Sequence, residues 1–476
     1  MRHPVPTFLV RAAIWLAALA PGLVAQAREG RPNVVFILAD DLGRAEVGAY
    51  GQKKIRTPSI DRLAAEGMKF TRFYAGSPVC APSRCTLLTG KHSGHGHVRD
   101  NREVQPEGQT PLPDAEVTLA EMFKREGYAT AAIGKWGLGF PGSEGDPLAQ
   151  GFDHFYGYNC QRHAHNHYPT YLRNDRERFD LEGNPGGATG RTFSHDLFEA
   201  EALRYVREHK DEPFFLFLPF TIPHVALQVP DDSLAEYAGR FEETPYTGGR
   251  GYQPHPTPRA AYAAMVTRMD RTVGRLLDLL RELGLDDDTI VVFSSDNGPT
   301  HDAGGADSGF FDSAGGLRGL KGSVYEGGIA APLLVRWTGR IRPGTTSDFV
   351  GYFPDFAPTL MALIGAEDRL PPGLDGVSFA PTLLGRPAEQ QAHDFLYWEF
   401  ASYGGQQAVR MGPWKGVRQQ LRQGRTAVEL YNLDDDPAEG RDVSAEHPDV
   451  IARVRTIMER EHVRSELFPL PGVDPG

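Results

Sequence analysis

The stretch Asn33-Val34-Val35-Phe36-Ile37-Leu38-Ala39, followed at once by Asp40 and Asp41, decides the fold. An apolar run of this length without polar alternation is typical of a parallel strand buried on both faces of a sheet. Three further runs of the same kind span residues 129–134, 213–220 and 289–294. Polar or ionisable residues follow each run, and the carboxyl ends of parallel strands share the sheet edge where ligands bind. The sequence therefore predicts a functional site at that edge.

Helical patterns separate these strands. They span residues 58–67, 117–126, 194–209 and 262–283. The alternation of strands and helices indicates an α/β fold class, with a large mixed, mainly parallel sheet flanked by helices. Two stretches that contain many Gly and Pro residues, 139–184 and 302–328, are longer than ordinary connections. We interpret them as candidate site loops, with loops that only cover the core as the alternative.

The composition changes near residues 384–391, where Gly, Pro and Gln residues predict a linker. Beyond it, short strand patterns occupy residues 395–400, 407–411, 414–418 and 427–432, and a helical pattern occupies residues 449–461. We therefore predict a small C-terminal α+β domain over residues 391–476. The predicted site belongs to a large domain over residues 28–386.

The first 27 residues differ from the rest of the chain. Arg2 and Arg11 flank or interrupt an apolar run over residues 8–24, and Ala25-Gln26-Ala27 has the form of a cleavage site. The run falls short of the roughly 20 apolar residues that span a bilayer. We predict a signal peptide over residues 1–27, export to the periplasm or the medium, and no stable membrane anchor.

Composition excludes several classes of partner and fold. With 40% hydrophobic and 24% charged residues, the chain is ordinary globular protein. Its formal net charge of −12 disfavours nucleic acid or an anionic membrane surface as a partner. The three cysteines, Cys80, Cys85 and Cys160, are too few for a disulfide framework in a chain of this length.

The sharpest local motif is Cys80-Ala81-Pro82-Ser83-Arg84, followed by Leu87-Leu88-Thr89-Gly90. Pro82 suits the first turn of a helix, which would place Cys80 at the helix N-terminus, where free N–H groups favour an anion. Arg84 lies four residues further on, so it can share a helical face with Cys80 and present its planar fork to an oxyanion. A buried structural cysteine beside a surface arginine would show the same short motif.

Two pairs of oxygen-bearing residues follow predicted strands. Asp40 and Asp41 follow the first strand, and Asp296 and Asn297 follow the fourth. Hard oxygen ligands of this kind suit Ca²⁺ better than Zn²⁺, for which His or Cys ligands are expected. We predict a calcium site formed by these four residues and Cys80.

These motifs together resemble the sulfatase family. The Cys80 motif resembles its CxPxR signature, and the pairs at Asp40 and Asp296 resemble its DD and SDNG motifs. Gly134-Lys135-Trp136, Ile222-Pro223-His224, Leu320-Lys321-Gly322 and Tyr325-Glu326-Gly327-Gly328 also match family motifs, in the family's order.

The resemblance implies an alkaline-phosphatase-like fold and a sulfuric ester hydrolase. It implies that a maturation enzyme oxidises Cys80 to formylglycine, whose hydrate attacks sulfur beside Ca²⁺. The resemblance implies further catalytic roles for Arg84, Lys135, His224 and Lys321. Cationic side chains among them would bind the sulfate oxygens, and His224 or Lys321 would donate a proton to the leaving alcohol.

One position departs from the family pattern. The family has a His two residues after the Lys of its GKW motif, whereas this chain has Gly137 there. The step that releases sulfate therefore lacks its usual imidazole. Candidate replacements are His95, His97, His163, His165 and His167.

Two other functions remain open at this stage. One is a phosphomonoester or phosphonate hydrolase of the same superfamily. The other is a non-catalytic sulfated-glycan-binding protein that keeps Cys80 as a thiol, as the missing His would allow. We expect a sulfated saccharide or an aryl sulfate as substrate. The residues expected to contact it are His95, Asn101, His165 and His301.

Overall fold

A computed structural model of the protein describes Met1, residues 31–249 and residues 251–475. Apart from Met1, the predicted signal peptide lies outside the described residues. Within them, no helix combines the length and apolar character needed to cross a bilayer.

Two β-sheets organise the described chain. The strands are β1 Asn33–Ala39, β2 Met68–Tyr74, β3 Ala129–Lys135, β4 His154–Tyr158, β5 Tyr171–Asn174, β6 Glu177–Asp180, β7 Phe214–Pro219, β8 Thr289–Ser295, β9 Leu333–Trp337, β10 Thr345–Tyr352, β11 Leu396–Phe400, β12 Gln406–Met411, β13 Trp414–Arg418 and β14 Glu429–Asn432. The first ten form a mixed sheet in the order β10-β2-β9-β8-β1-β7-β3-β4-β5-β6, and the last four form an antiparallel sheet in chain order. The predicted fold class is confirmed.

The four strands predicted from apolar runs are neighbours at the centre of the large sheet. Their order is β8-β1-β7-β3, and every pairing among them is parallel. In the register between β1 and β8, Ala39 pairs with Ser295. Asp40 and Asp296 therefore leave the sheet side by side, as the site requires.

Helices cover both faces of the large sheet. The α-helices of the described residues are α1 Pro58–Glu66, α2 Cys80–Thr89, α3 Leu119–Arg125, α4 Ser194–Glu208, α5 Asp231–Leu234, α6 Pro258–Glu282, α7 Ser308–Phe311, α8 Glu326–Ile329, α9 Phe356–Leu363, α10 Ala380–Leu383 and α11 Pro448–Arg460. Val35 and Ile37 of β1 pack into the core that holds α1, α4 and α6. Phe36 and Leu38 pack into the opposite core, with α2, α3 and α9. Both faces of the strand are thus buried, which explains its continuous apolar run.

The composition of the stretch 139–184 suggested one long loop, but the structure has three strands within it. Strand β4 pairs parallel with β3, and β5 and β6 continue the sheet as an antiparallel hairpin. The hairpin turns at Asp175, whose φ is 54°, a conformation that Asp and Asn tolerate better than most residues. Candidate site residues in this stretch therefore lie on the connection between β4 and β5.

The small C-terminal sheet packs against the large one. Trp398 of β11 makes an edge contact with Tyr74 of β2, and its indole N–H donates to the carbonyl of Ala75 at 2.9 Å. Helix α11 covers the other side of the small sheet, where Val454 packs with Val409. The predicted domain boundaries, 28–386 and 391–476, remain predictions.

Candidate active site

Cys80 is the first residue of α2, as the motif predicted. It is 1% exposed. Its sulfur lies 3.5 Å from Asp40 Oδ1 and 4.0 Å from Asp41 Oδ1. The Nζ atom of Lys321 lies 3.3 Å from the same sulfur. The helix N-terminus thus brings the side chain of residue 80 to the carboxylates that follow β1.

The predicted oxygen ligands form one buried group. Asp40, Asp41, Asp296 and Asn297 are each 0% exposed. The backbone N–H of Asp41 donates to Asp296 Oδ1 at 3.1 Å, and Asn297 Nδ2 donates to Asp41 Oδ1 at 2.8 Å. Among the described residues, Asn297 Oδ1 has no hydrogen-bond partner. A buried acceptor without a donor beside three carboxylates fits a bound cation with oxygen ligands.

Sulfur and nitrogen atoms lie close to the same group. One ligand atom each from Asp40, Asp41, Cys80 and His224 lie within 4.8 Å of one another. Two of these four atoms are carboxylate oxygens, and the side chains of Asp296 and Asn297 next to Asp41 add further oxygen donors. The larger group of oxygen donors favours Ca²⁺ over a metal that prefers nitrogen and sulfur.

Three buried cations pair with the three carboxylates. The pairs are Arg84 with Asp296 at 2.7 Å, Lys135 with Asp40 at 2.6 Å, and Lys321 with Asp41 at 2.8 Å. Arg84 also donates to the backbone carbonyl of Lys135, which ties α2 to the end of β3. The formal charges of these six side chains cancel, so the site is close to neutral before a metal or an anion enters.

The pKa values follow from burial and from this pairing. Burial opposes ionisation of Asp40, but the charges of Lys135 and Arg84 outweigh it, so its pKa lies well below the usual range. Burial and the charge of Asp40 raise the pKa of Asp296 to about 6, against the guanidinium of Arg84. Burial also raises the pKa of the Cys80 thiol to about 12. An unmodified Cys80 is therefore a protonated thiol at neutral pH.

Two histidines form one wall of the site. His224 is 3% exposed, and its Nε2 lies 3.5 Å from Asp41 Oδ2. The ring of His165 stacks on that of His224 with 4.6 Å between centroids. Burial and then the charges of Lys135 and Lys321 lower the pKa of His165 to about 3, and burial holds the pKa of His224 well below its ordinary value. Burial thus disfavours a second proton on either ring.

Residues 32–366, most of the chain, match the model of the Sulfatase family. The chain belongs to the sulfatase family. It is therefore a sulfuric ester hydrolase. Residues 316–464 of this sulfatase also match the model of the C-terminal region of N-sulphoglucosamine sulphohydrolase.

Known proteins resemble this sulfatase over most of its length. Human arylsulfatase A is 34% identical over 84% of this chain and 76% of its own length. Human N-acetylgalactosamine-6-sulfatase is 29% identical over 92% of this chain and 87% of its own. The crystal structure of Ps i-CgsB superposes with a TM-score of 0.75 and 27% identity, covering 91% of this chain and 94% of that one.

Three of the four predicted substrate-binding residues of this sulfatase lie beside the group around Cys80. Asn101 Oδ1 accepts the N–H of Ala81 at 2.9 Å, so it lies at the start of α2. His165 stacks on His224, as described above. His301 follows Thr300, whose N–H donates to the carbonyl of Asp41 at 3.2 Å.

His95 lies in a different cluster. Its Nδ1 is 2.9 Å from Asp375 Oδ1, and its ring stacks on His92 with 4.1 Å between centroids. His92 in turn lies 3.2 Å from Glu461. This cluster joins the chain after α2 to the end of α11, and a role of His95 in substrate binding stays a prediction.

Gln161 fills the space beside Gly137. The φ of Gly137 is 84°, and a Cβ atom built on it would lie 2.0 Å from Gln161 Nε2. A larger side chain at position 137 therefore cannot coexist with Gln161 in its present position. Sequence reasoning missed Gln161, because an isolated Gln in an irregular segment carries no pattern, and only the departure at Gly137 pointed to this place.

Proposed function

We propose that this sulfatase is an exported enzyme that releases sulfate from sulfated carbohydrates, using formylglycine made from Cys80 and a bound Ca²⁺. The observation that carries the proposal is the position of residue 80. Its sulfur lies within 4.0 Å of two carboxylates and 3.3 Å from the Lys321 ammonium. A nucleophile at this atom would meet a metal through the carboxylates and an anionic ester through the cation.

The oxygen group suits a calcium ion. Its ligands would be Asp40, Asp41, Asp296 and Asn297. Among the described residues, Asn297 Oδ1 accepts no hydrogen bond, so this oxygen is available as a metal ligand. When bound, Ca²⁺ supplies positive charge that favours an ionised hydroxyl at residue 80 and attracts sulfate oxygens. The signal peptide predicted over residues 1–27 supports export. Export is consistent with an enzyme that requires calcium.

Formylglycine supplies, as its hydrate, two hydroxyl groups on one carbon, one to attack sulfur and one whose deprotonation expels the sulfate. The residues around it would hold the substrate. Arg84, Lys135 and Lys321 offer donors to the sulfate oxygens from the pairs described above. The proton of the leaving alcohol would come from Lys321 Nζ or His224 Nε2. Burial opposes the charge of Lys321, but the carboxylate of Asp41 outweighs it and raises the pKa of Lys321 well above its usual value, so this ammonium stays protonated.

Related enzymes support a carbohydrate substrate. N-acetylgalactosamine-6-sulfatase is named for an amino sugar of the galactose series, and the His-rich and aromatic segment around His165 offers faces and donors that suit sugars. We propose a sulfated saccharide, with a galactose-type ring as the first candidate. An aryl sulfate would serve as a small test substrate.

The first test is the chemical state of residue 80. Protein should be purified from a host that installs formylglycine, and the tryptic peptide Phe73–Arg84 weighed. An aldehyde or its hydrate at Cys80 supports the proposal. An unmodified thiol together with binding of sulfated glycans, and no turnover, would instead favour the non-catalytic alternative.

The second test is turnover. The mature protein should release sulfate from a panel of sulfated sugars and from 4-nitrophenyl sulfate, with little hydrolysis of 4-nitrophenyl phosphate. Cys80→Ser offers one hydroxyl instead of two, so we expect a stalled sulfated enzyme or no activity. Sustained multiple turnover by Cys80→Ser, or a preference for the phosphate ester, would contradict the proposal.

A further inference from the structure

Gln161 is a buried side chain without a partner. It is 5% exposed, yet neither its Nε2 nor its Oε1 has a hydrogen-bond partner among the described residues. Asn159, at 1% exposure, has an unpartnered Oδ1 as well. Buried polar groups in proteins are nearly always paired, and an unpaired one bears the full cost of its desolvation. Two such residues in one short segment therefore indicate a missing partner.

The segment that carries them runs along the active site. At one end, the N–H of Gly137 donates to the carbonyl of Asn159 at 3.2 Å, and Gln161 Nε2 occupies the place of a Cβ on Gly137. Gly137 comes two residues after Lys135, whose Nζ bonds Asp40. At the other end, His165 stacks on His224. Residues 159–165 thus extend from the Lys135 side of the site to the His224 side.

We propose that Gln161 is a substrate-binding residue that recognises a hydroxyl group of the sugar ring next to the sulfate ester. A carboxamide offers one donor group and one acceptor, which complements a hydroxyl, since a hydroxyl both donates and accepts. A sulfate group has only acceptors, so it would leave Gln161 Oε1 and Asn159 Oδ1 unpaired. The inference rests on the proposed function, because it assigns the saccharide to one wall of that site.

The absence of a side chain at Gly137 makes this contact possible. The Gln161 amide occupies volume that any other residue at position 137 would take. A carboxamide stays neutral at all working pH values. It can therefore form hydrogen bonds with a sugar hydroxyl without adding charge beside the cations. The site therefore divides recognition: charged residues bind the sulfate, and neutral amides bind the sugar.

The test compares two substrates in the fully mature enzyme. Gln161→Met keeps length and burial but removes both polar atoms. We expect the ratio of kcat/KM for a sulfated saccharide to kcat/KM for 4-nitrophenyl sulfate to fall about 10- to 100-fold, since sites built to bond a hydroxyl lose that contact. Gln150→Met is the matched control. Gln150 is also buried with an unpartnered Oε1, but its Nε2 donates to the carbonyl of Glu144 at 2.8 Å, outside the site, and its ratio should stay unchanged.

Other outcomes overturn the inference. An unchanged ratio in Gln161→Met would mean that Gln161 bonds an ordered water only. Equal losses on both substrates with a lower melting temperature would mean that Gln161 only supports packing. If the Met variant fails to fold, Gln161→Asn, which keeps the amide but withdraws it by one methylene, must lower the ratio instead. Failure of the proposed function is distinct, because the wild-type enzyme would then not turn over the sulfated saccharide.

Discussion

Protein that keeps Cys80 as a thiol should be inactive. Burial raises the pKa of this thiol to about 12, despite the nearby charges of Lys135 and Lys321. The thiolate is the nucleophilic form of cysteine, and with this pKa its fraction at pH 7 to 8 is on the order of 10⁻⁵ to 10⁻⁴. A thiol also has no second hydroxyl with which to expel bound sulfate. We therefore expect no sustained turnover from the thiol form.

The assay uses a series of samples that differ in aldehyde content. Protein made with and without a formylglycine-generating enzyme gives such a series, and mass spectrometry of the peptide Phe73–Arg84 measures the aldehyde fraction in each. Initial rates with saturating 4-nitrophenyl sulfate, plotted against this fraction, should follow a straight line through the origin. Cys85→Ala is the control, because Cys85 is another buried thiol of the same helix and should leave the line unchanged.

Two results would refute this reasoning. The first is a rate that persists when the aldehyde fraction is zero. The second is a rate of the thiol form that rises about tenfold per pH unit between pH 8 and 10, as a nucleophilic thiolate with a high pKa would require. Either would show that the sulfur itself attacks the ester.

Further predictions concern the metal, a cation and pH. Chelation with EGTA should abolish turnover, and added Ca²⁺ should restore it. A free Ca²⁺ concentration of about 100 times Kd stabilises the folded protein by about 2.7 kcal/mol. For a chain of this size, the loss of that stabilisation should lower the melting temperature by about 3 °C. Lys321→Met should lower kcat/KM for 4-nitrophenyl sulfate about 10²- to 10³-fold, and a loss below about tenfold would contradict its role. The hydrogen bonds that His95 donates to Asp375 and that His462 donates to Glu399 raise both histidine pKa values. The two protonated histidines stabilise the folded protein fully below the unfolded-state pKa of about 6.5, and this stabilisation is lost as the pH rises through their folded-state pKa values. The melting temperature should therefore fall as the pH rises above about 6.5. His95→Gln should make this fall with pH less steep.

Most of the central sheet could be predicted from the sequence. The strands β1, β3, β7 and β8 are buried on both faces, so each appears as an uninterrupted apolar run. Their parallel pairing then places the residues that follow them at one edge. This edge holds Asp40, Asp41, Asp296 and Asn297. The apolar runs in the sequence predict where the strands end, whereas no such pattern predicts the position of a loop residue.

Strands at the side of the sheet escaped prediction for the opposite reason. Residues of β2 alternate between buried and partly exposed, and β10 contains Thr, Ser and Asp. Short polar sequences of this kind do not differ from loops until a neighbouring strand pairs with them. Strand β10 pairs with β2 in parallel, although the two are distant in the chain.

Side-chain partners were the least predictable feature. His95 and His165 were equally good candidates in the sequence, since both lie in His-rich segments. The fold carries His165 to His224, whereas Asp375 and the end of α11 hold His95 elsewhere. These contacts depend on tertiary geometry, which no local pattern records.

The charge balance of the site gives the metal a further role. The three buried carboxylates and three buried cations cancel, and they sit in a chain whose formal net charge is −12. An anionic ester would therefore gain little attraction from the protein alone, and it would compete with Asp41 for Lys321 and with Asp40 for Lys135. A divalent cation on the carboxylates gives the site a net positive charge and weakens their hold on the lysines. Calcium would thus act on substrate binding as well as on the nucleophile, so its removal should weaken binding of the ester in addition to abolishing turnover.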